Sequence, residues 1–373
     1  MGIWPCPQAA NPDSPDHADA ATLTAMRPVL KAGLLALWRD SETLQVGVDH
    51  RRGFALSGLG RAPEAVLAVL DGSRDRVAVL AATAARGIPS DVTDRVLALL
   101  AAGGALNDFP VAARRVLPLQ LQARLAPELA TASLAHHDSD GGVRAIVRRR
   151  MSYVRVHGAG RIGASMACLL AASGVGHVAC RDTRPAGVCD AAPAGLEVTD
   201  AGAPRARGAA RAVKRVAPDV RTDDDRNRDC RPDIVVLADR YDTRLPAQLM
   251  SDRIPHLCAS ASEAIGIVGP LVLPGRSGCL RCLDLTRRDR DPAWPLIAAQ
   301  LAGRQPVTPA CDAVLATAVA AHAVGQALAF IDAAGERPAV INGTLELVLP
   351  DWRWRRRTWP VHGECACSKS NLA

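Results

Sequence analysis

Two sets of residues have types and spacing that chemistry could use. The first is four cysteines in two close pairs: Cys279 and Cys282 in CLRC, and Cys365 and Cys367 in CAC, with 82 residues between the pairs. Each pair can present two thiolates from one tight turn, and a tetrahedral zinc ion would join the two turns. Four thiolates leave no position for water, so such a zinc is structural rather than catalytic. Four unrelated cysteines are the alternative, and pairing twice among eleven cysteines counts against it. The second set is Gly158, Gly160 and Gly163 in HGAGRIG, followed 19 residues after the last glycine by Asp182. Glycines at this spacing allow a tight turn and close approach of backbone N–H groups to phosphates, and the acid can hold ribose hydroxyls. The same glycines would also serve simple helix-on-strand packing, and the motif does not by itself separate NAD from ATP.

The elements that must position these residues are legible around them. YVRVH reads as a strand, the glycine turn leads into a helix through Ala172, and HVACRD reads as the next strand. Further strands are expected at DIVVLAD (233–239) and around IPHLCAS (254–260), alternating with helices. The fold class is therefore α/β, with a Rossmann-like, mostly parallel sheet. The last third adds β-like runs, AIGIVGPLVLP and AVINGTLELVLP, around the Ala-rich helix CDAVLATAVAAHAVGQALAFIDAAG.

Upstream, residues 1–22 are rich in Pro, Asp, Ala and Ser without periodicity and read as a flexible tail. Residues 23–110 read as a small α+β unit of winged-helix type: alternating runs (LLALW, LQVGV, FALSGL) precede three helical stretches. Ser90 is the expected N-cap of the third, and LDGSR (70–74) separates the first two. Residues 111–150 read as a helical, basic connector with its sharpest break at HHDSDGG, and 151–373 as the nucleotide-and-zinc domain.

Composition narrows the classes. With 373 residues and 49% apolar content the chain can bury two cores. A net charge of +7, spread as scattered arginines, permits a polyanion partner without indicating one. In the expected second and third helices, Asp71, Asp75, Asp91 and Asp94 balance Arg74, Arg76, Arg86 and Arg95, which disfavours nucleic acid. No uninterrupted run of 18 apolar residues occurs and the N-terminus lacks a signal peptide, so a cytoplasmic protein without a membrane span is expected. In that reducing compartment the cysteines read as core residues, metal ligands or reactive thiols.

Taken together, HGAGRIG, SGVGHVACRD, PDIVVLAD, GPLVLPGRSGCLRC and HGECAC resemble the ThiF/MoeB adenylyltransferases, relatives of ubiquitin-activating enzymes, over about residues 150 to 370. The resemblance implies ATP, not NAD, against Gly158, Gly160 and Gly163, with Asp182 on the ribose. It implies a four-cysteine zinc, a homodimer, and Asp239 positioning Mg2+ and the reacting phosphate. Arg205 stands closest to the family's phosphate-contacting lysine. Active members follow the ribose aspartate with D-x-V and an SNLxRQ segment, where this chain reads RDTRPAGVCDAAPAGLEVTD. Arg184 and Arg205, or an arginine from another subunit, would then have to supply the missing charge.

A narrower resemblance is to an actinobacterial branch associated with modified ribosomal peptides, in which a PqqD-like leader-peptide-recognition module precedes the ThiF-like domain. It implies a precursor peptide, or a small carrier protein, as ligand, bound by strand addition to the N-terminal unit, and a partner enzyme of the cyclodehydratase class. Two other functions compete: an active sulfur-carrier or ubiquitin-like activating enzyme, and an inactive scaffold or DNA-binding regulator.

Cys311, at the start of the Ala-rich helix, reads as a capping or packing residue before a thiol carrier. DWRWRRRTWP reads as a strand with tryptophans inward and arginines outward rather than as a nucleic-acid surface. His362 is expected outside the ligand set, and His136–His137 marks a linker.

Overall fold

The computed structural model describes residues 27–108, 117–136, 139–223, 231–238, 244–303, 309–332 and 338–369. The chain divides into two compact units, residues 1–147 and 148–373.

In the first unit the chain forms β1 (Pro28–Leu30), β2 (Ala36–Trp38), β3 (Thr43–Val46), β4 (Phe54–Ser57), α1 (Ala62–Leu67), α2 (Arg76–Ala84), α3 (Ser90–Ala102) and β5 (Leu106–Asp108). β2, β3 and β4 make an antiparallel three-stranded sheet, and β1 pairs with β5. Val46, Leu56, Val66, Val79, Val96 and Leu100 meet in one core, as the alternation and helical spacing predict. Ser90 is not the N-cap of α3. Pro89 takes that position in an extended conformation and Ser90 begins the helix with no capping bond, because the proline ring already fixes the backbone at the turn. Asp75 does cap α2, accepting from Ala78 N–H at 2.9 Å. Arg76 of α2 pairs with Asp94 of α3, whereas Arg74 and Asp71, expected on a helix, pair with each other in the connection before α2. Three helices follow, α4 (Leu119–Arg124), α5 (Ala126–Ala135) and α6 (Val143–Met151), and Leu117, Leu125 and Ile146 are buried together.

The second unit is built on a seven-stranded sheet. Its elements are β6 (Tyr153–His157), α7 (Arg161–Ala172), β7 (His177–Arg181), α8 (Arg205–Val216), β8 (Ile234–Ala238), α9 (Leu245–Ser251), β9 (His256–Ser262), β10 (Ile265–Val272), α10 (Leu280–Arg290), α11 (Trp294–Gly303), α12 (Ala313–Asp332), β11 (Gly343–Val348), β12 (Arg353–Thr358) and α13 (Ala366–Lys369). The sheet order is β12-β11-β10-β9-β8-β6-β7. The strands β7, β6, β8 and β9 are mutually parallel, and β10, β11 and β12 extend them antiparallel. β8 is buried at every residue, as a central parallel strand covered on both faces must be.

Helix α12 is long and apolar enough to cross a membrane by length and composition. Leu315, Val319, Ala323 and Ala327 instead lie in the main core with Ile162 and Met166 of α7, which is the environment of a core helix. Arg149 closes the far end of α12: its Nε donates to Asp332 Oδ1 at 2.8 Å and its Nη2 to Oδ2 at 2.6 Å, with the Asp332 side chain 2% exposed. In DWRWRRRTWP the expected alternation holds only in part. Trp354 packs on His322 and Trp359 is buried, but Trp352 sits exposed in the turn before β12 with a φ of 54°, so the strand starts one residue too late to turn it inward.

His256, at the start of β9, is fully buried; its Nδ1 lies 3.0 Å from Ile254 O. Burial pulls its pKa below the ordinary 6.5, against the weaker pull of that hydrogen bond, and burial lowers His322 likewise. A neutral histidine in the fold meets an unfolded chain that protonates near 6.5, so stability is lost as the pH falls through that value. Urea unfolding between about pH 7.5 and about pH 5.5 is expected to show this loss, up to about 1.4 kcal/mol per pH unit for each proton taken up. In His256→Leu the profile should be flatter over that window; an unchanged slope would remove His256 from the account.

Candidate functional site

β6 delivers the chain to the carboxyl edge of the parallel strands, where Gly158 adopts a φ of 90° and donates its N–H to Arg181 O at 3.0 Å. A side chain is disfavoured there by backbone conformation. Gly160 is the N-cap of α7, and the first N–H groups of that helix have no intrahelical acceptor. Gly163 is required by space: a Cβ on it would lie 1.9 Å from Gly158 O and 3.0 Å from the Cβ of Ala238 in β8. The third glycine thus does what the packing explanation asks of it, while the first two shape the turn.

Asp182 follows β7 and faces this turn. Its Oδ2 accepts Ala159 N–H at 2.9 Å and Arg184 Nη2 at 2.7 Å, and its Oδ1 accepts Arg184 Nε at 2.8 Å. Burial works to raise its pKa, but the Arg184 and Ala159 hydrogen bonds outweigh it and hold the carboxyl below its ordinary value. Arg205, the first residue of α8, grips Asp190 through Nε at 2.8 Å and Nη2 at 2.9 Å and stands 3.8 Å from Asp182. The structure therefore gathers Gly158, Gly160, Gly163, Asp182 and Arg205 at one place, with Arg184 and Asp190 added.

The two cysteine pairs meet although Cys279 and Cys365 are 86 residues apart in sequence. Cys279 caps α10, Cys282 lies in its first turn, and Cys365 and Cys367 arrive from the C-terminal turn. The Sγ separations are 3.9 Å for Cys279–Cys282, 3.6 Å for Cys279–Cys365 and 3.3 Å for Cys282–Cys367, with all four sulfurs within 4.8 Å of one another. A tetrahedron of thiolates about 2.3 Å from zinc has sulfurs about 3.8 Å apart, so the four residues fit a zinc ion. Burial, first among the causes, pushes the Cys279 thiol up to about 11 and raises Cys367 further, whereas hydrogen bonds from the His362 N–H and from Cys367 hold Cys282 below its ordinary value against its own burial. His362 is not among the ligating atoms. Its Nε2 lies 2.7 Å from Asp289 Oδ2, and Arg288 ties Asp289 to Glu364, clamping the C-terminal turn onto α10.

The sequence model of the ThiF family matches residues 139–368. The chain belongs to the ThiF family. The glycine turn and all four cysteines fall inside the matched region. Among solved structures, E. coli MccB with ATP superposes at a TM-score of 0.66, with 15% identity, over 91% of this chain and 99% of MccB. E. coli MccB also appears as the Microcin C7 biosynthetic enzyme in complex with N-formylated MccA, at a TM-score of 0.65, 15% identity and the same coverages. PaaA superposes at 0.66 with 18% identity, over 88% of this chain and 98% of PaaA. These likenesses show the fold. No curated protein matches the chain.

Against the ThiF-family pattern, Asp239 lies outside the described residues; β8 ends one residue before it, beside Gly163. Where SNLxRQ is absent, the chain makes two 3-10 turns, Val188–Asp190 and Val198–Asp200. Each is closed by its aspartate: Asp190 accepts Gly187 N–H at 2.7 Å and pairs with Arg205, and Asp200 accepts Glu197 N–H at 2.8 Å and pairs with Arg211. Cys311 directly precedes Asp312, whose Oδ1 caps α12 by accepting Leu315 N–H at 2.7 Å.

Sequence reasoning missed Arg161. It occupies the first position of α7, and its Nε and Nη1 donate to the carbonyls of Cys189, at 2.5 Å, and Cys311, at 3.0 Å. The available signal was a basic residue in the first turn of a helix, where the helix dipole disfavours a cation.

Proposed function

We propose that the chain binds magnesium-ATP at the Gly158–Gly163 turn and uses it to activate the carboxylate of a ribosomally made peptide. The observation that carries this reading is the turn itself: it opens α7 at the carboxyl edge of the parallel strands, with Asp182 one hydrogen bond from Ala159, on a ThiF-family chain. The fold likeness to MccB, solved with ATP and with N-formylated MccA, supports it. Gly158 and Gly160 shape the turn so that the N–H groups opening α7 meet the phosphates, and Asp182 holds the ribose. Arg184, with its side chain 35% exposed, exchanges Asp182 for the phosphates when nucleotide enters, and Arg205 adds charge beside it. Asp239 positions the magnesium ion.

A carboxylate oxygen of the peptide attacks the α-phosphorus, the bond from that phosphorus to the bridging oxygen breaks, and pyrophosphate leaves with the electron pair. The attacking group is already an anion, so no base is required. Positive groups fixed around the phosphates offset the charge that develops on the leaving group.

In this reading the first unit is a winged-helix, PqqD-like recognition module that adds the peptide as a strand to an edge of the β2-β3-β4 sheet. The zinc-loaded protein is a cytoplasmic homodimer that works beside a cyclodehydratase-class enzyme. A second reading, presentation of the peptide to that enzyme without adenylation, is favoured by the commitment of Arg205 to Asp190 where the SNLxRQ segment is absent.

Calorimetric titration of the zinc-loaded full chain with magnesium-ATP, with NAD as comparison, tests both. Saturable ATP binding, weakened about tenfold or more by Asp182→Ala and by Gly160→Val, is the expected result. Absence of ATP binding would reject the activation reading, and ATP binding without pyrophosphate exchange in the presence of peptide would favour presentation.

A further inference from the structure

We infer that α11 and the arginines beside it form a docking surface for a partner protein, which brings an amphipathic helix with acidic residues next to its apolar face. The inference does not depend on nucleotide binding. Helix α11 reads WPLIAAQLAG, with Gln300 as its one polar side chain. A helix that is apolar all round normally lies in a core. Here none of the described side chains of α11 is buried: Leu296 is 66% exposed, Leu301 60% and Ile297 39%. Exposed apolar side chains gathered on one element mark an interaction surface. Helix α11 is fastened to α10 at its first residue, where Trp294 Nε1 donates to Asp284 Oδ1 at 3.2 Å and the Arg287 guanidinium stands 4.7 Å from the Trp294 ring centre.

That arginine belongs to a group of three. The guanidinium carbons of Arg287, Arg290 and Arg357 stand 5.4, 5.5 and 5.5 Å from the ring centre of the buried Trp359. Cations gathered this closely repel one another, and the ring offsets only part of that. Two of the three have a carboxylate: Arg357 meets Glu346 at 3.3 Å and Arg287 meets Asp284 at 3.8 Å. Arg290 forms no ion pair among the described residues. Of its two sequence neighbours, Asp289 is held by Arg288 and His362, and Asp291 accepts the Ala293 N–H that opens α11. One acidic side chain set at Arg290 completes the group, so the partner that matches this surface is apolar and acidic. It is a helix because α11 offers side chains and no open strand edge, and Ala298 and Ala299 between the leucines allow a second helix to come close. A nucleic acid or a lipid surface presents phosphates continuously, to Asp284, Asp289 and Asp291 as well as to the arginines, whereas a protein places single carboxylates. A second copy would bring the same group of arginines with it.

The probe is a fluorescein-labelled peptide helix with leucines along one face and glutamates beside them. Its controls carry lysine for glutamate, or serine for leucine. Binding to the full zinc-loaded chain is read by fluorescence anisotropy, and the acidic peptide should bind about tenfold or more tighter than either control. Leu296→Ser together with Leu301→Ser should remove that advantage, and Arg290→Glu should reverse the preference toward the lysine peptide. All three side chains are exposed, so circular dichroism and the melting temperature should stay at wild-type values and separate docking from folding. Equal binding of the acidic and lysine peptides, or an order that Arg290→Glu leaves unchanged, overturns the inference. So does a dimer that the leucine substitutions dissociate in sedimentation, which would give α11 to a second copy. Binding of an RNA homopolymer or of phosphatidylglycerol vesicles that the leucine substitutions abolish would give the surface to a phosphate-bearing partner and overturn it likewise.

Discussion

Replacing Cys282 with serine is expected to cost the second unit its metal and much of its stability. Cys282 is fully buried, in reach of Cys279 and Cys367, so a hydroxyl in its place leaves three thiols and a weak donor around a site sized for zinc. Structural zinc sites contribute about 10–16 kcal/mol of binding energy in small peptides, comparable to or larger than the whole stability of a typical domain. The effect here is smaller, because β6 to β9 and α7 keep their own core. What is lost is the join between α10 and the C-terminal turn. A fall of about 8–16 °C in the melting temperature follows from a loss of about 4 kcal/mol in a unit of this size. Elemental analysis should find one zinc per wild-type chain and close to none in Cys282→Ser. Because burial holds the free Cys279 thiol up at about 11, zinc has to displace protons to bind, and retention should weaken as the pH is lowered. A variant that keeps its zinc or melts with the wild type would show that the cluster is not a metal centre.

Asp332→Ala should destabilise the protein by about 3–5 kcal/mol. The bidentate pair with Arg149 is almost wholly shielded from water, and truncating the acid leaves a buried guanidinium with only Ser173 O, at 3.2 Å, among its described acceptors. The charge alone is then the source of the loss, more than the missing contact. The double substitution Arg149→Met with Asp332→Leu separates the two, since an apolar pair of similar volume is often neutral or better. Urea unfolding of the three chains measures the effect. If the double variant is as damaged as the single one, packing rather than the stranded charge is responsible.

Much of the second unit was legible because its signals are local. The period-two run YVRVH, the glycine turn and the small-residue helix through Ala172 each state their own conformation, and β6, α7 and β7 form where those runs place them. Two pairs of cysteines could be matched across the chain because a tetrahedral thiolate metal site asks for two close pairs. Side-chain commitments were not legible. Arg184 folds back onto Asp182 only two residues away, a rotamer choice that the residue pattern leaves open, and Arg205 meets Asp190 because α8 brings them together. Pro89 displaced Ser90 for a local reason that the capping pattern overlooked. The extent of β12 was set by its pairing with β11, which left Trp352 outside the strand. Arg161 escaped notice because the glycine pattern leaves the position after Gly160 unspecified.

The strand β12 closes one side of the sheet and carries Arg353, Arg355, Arg356 and Arg357 on its solvent-exposed positions. Two copies brought together about a twofold axis along this border would crowd arginines against arginines, with Arg355 and Arg357 already paired to Asp351 and Glu346. Such a border repels its own image, which prevents the sheet from continuing into a neighbour and guards against fibrous association.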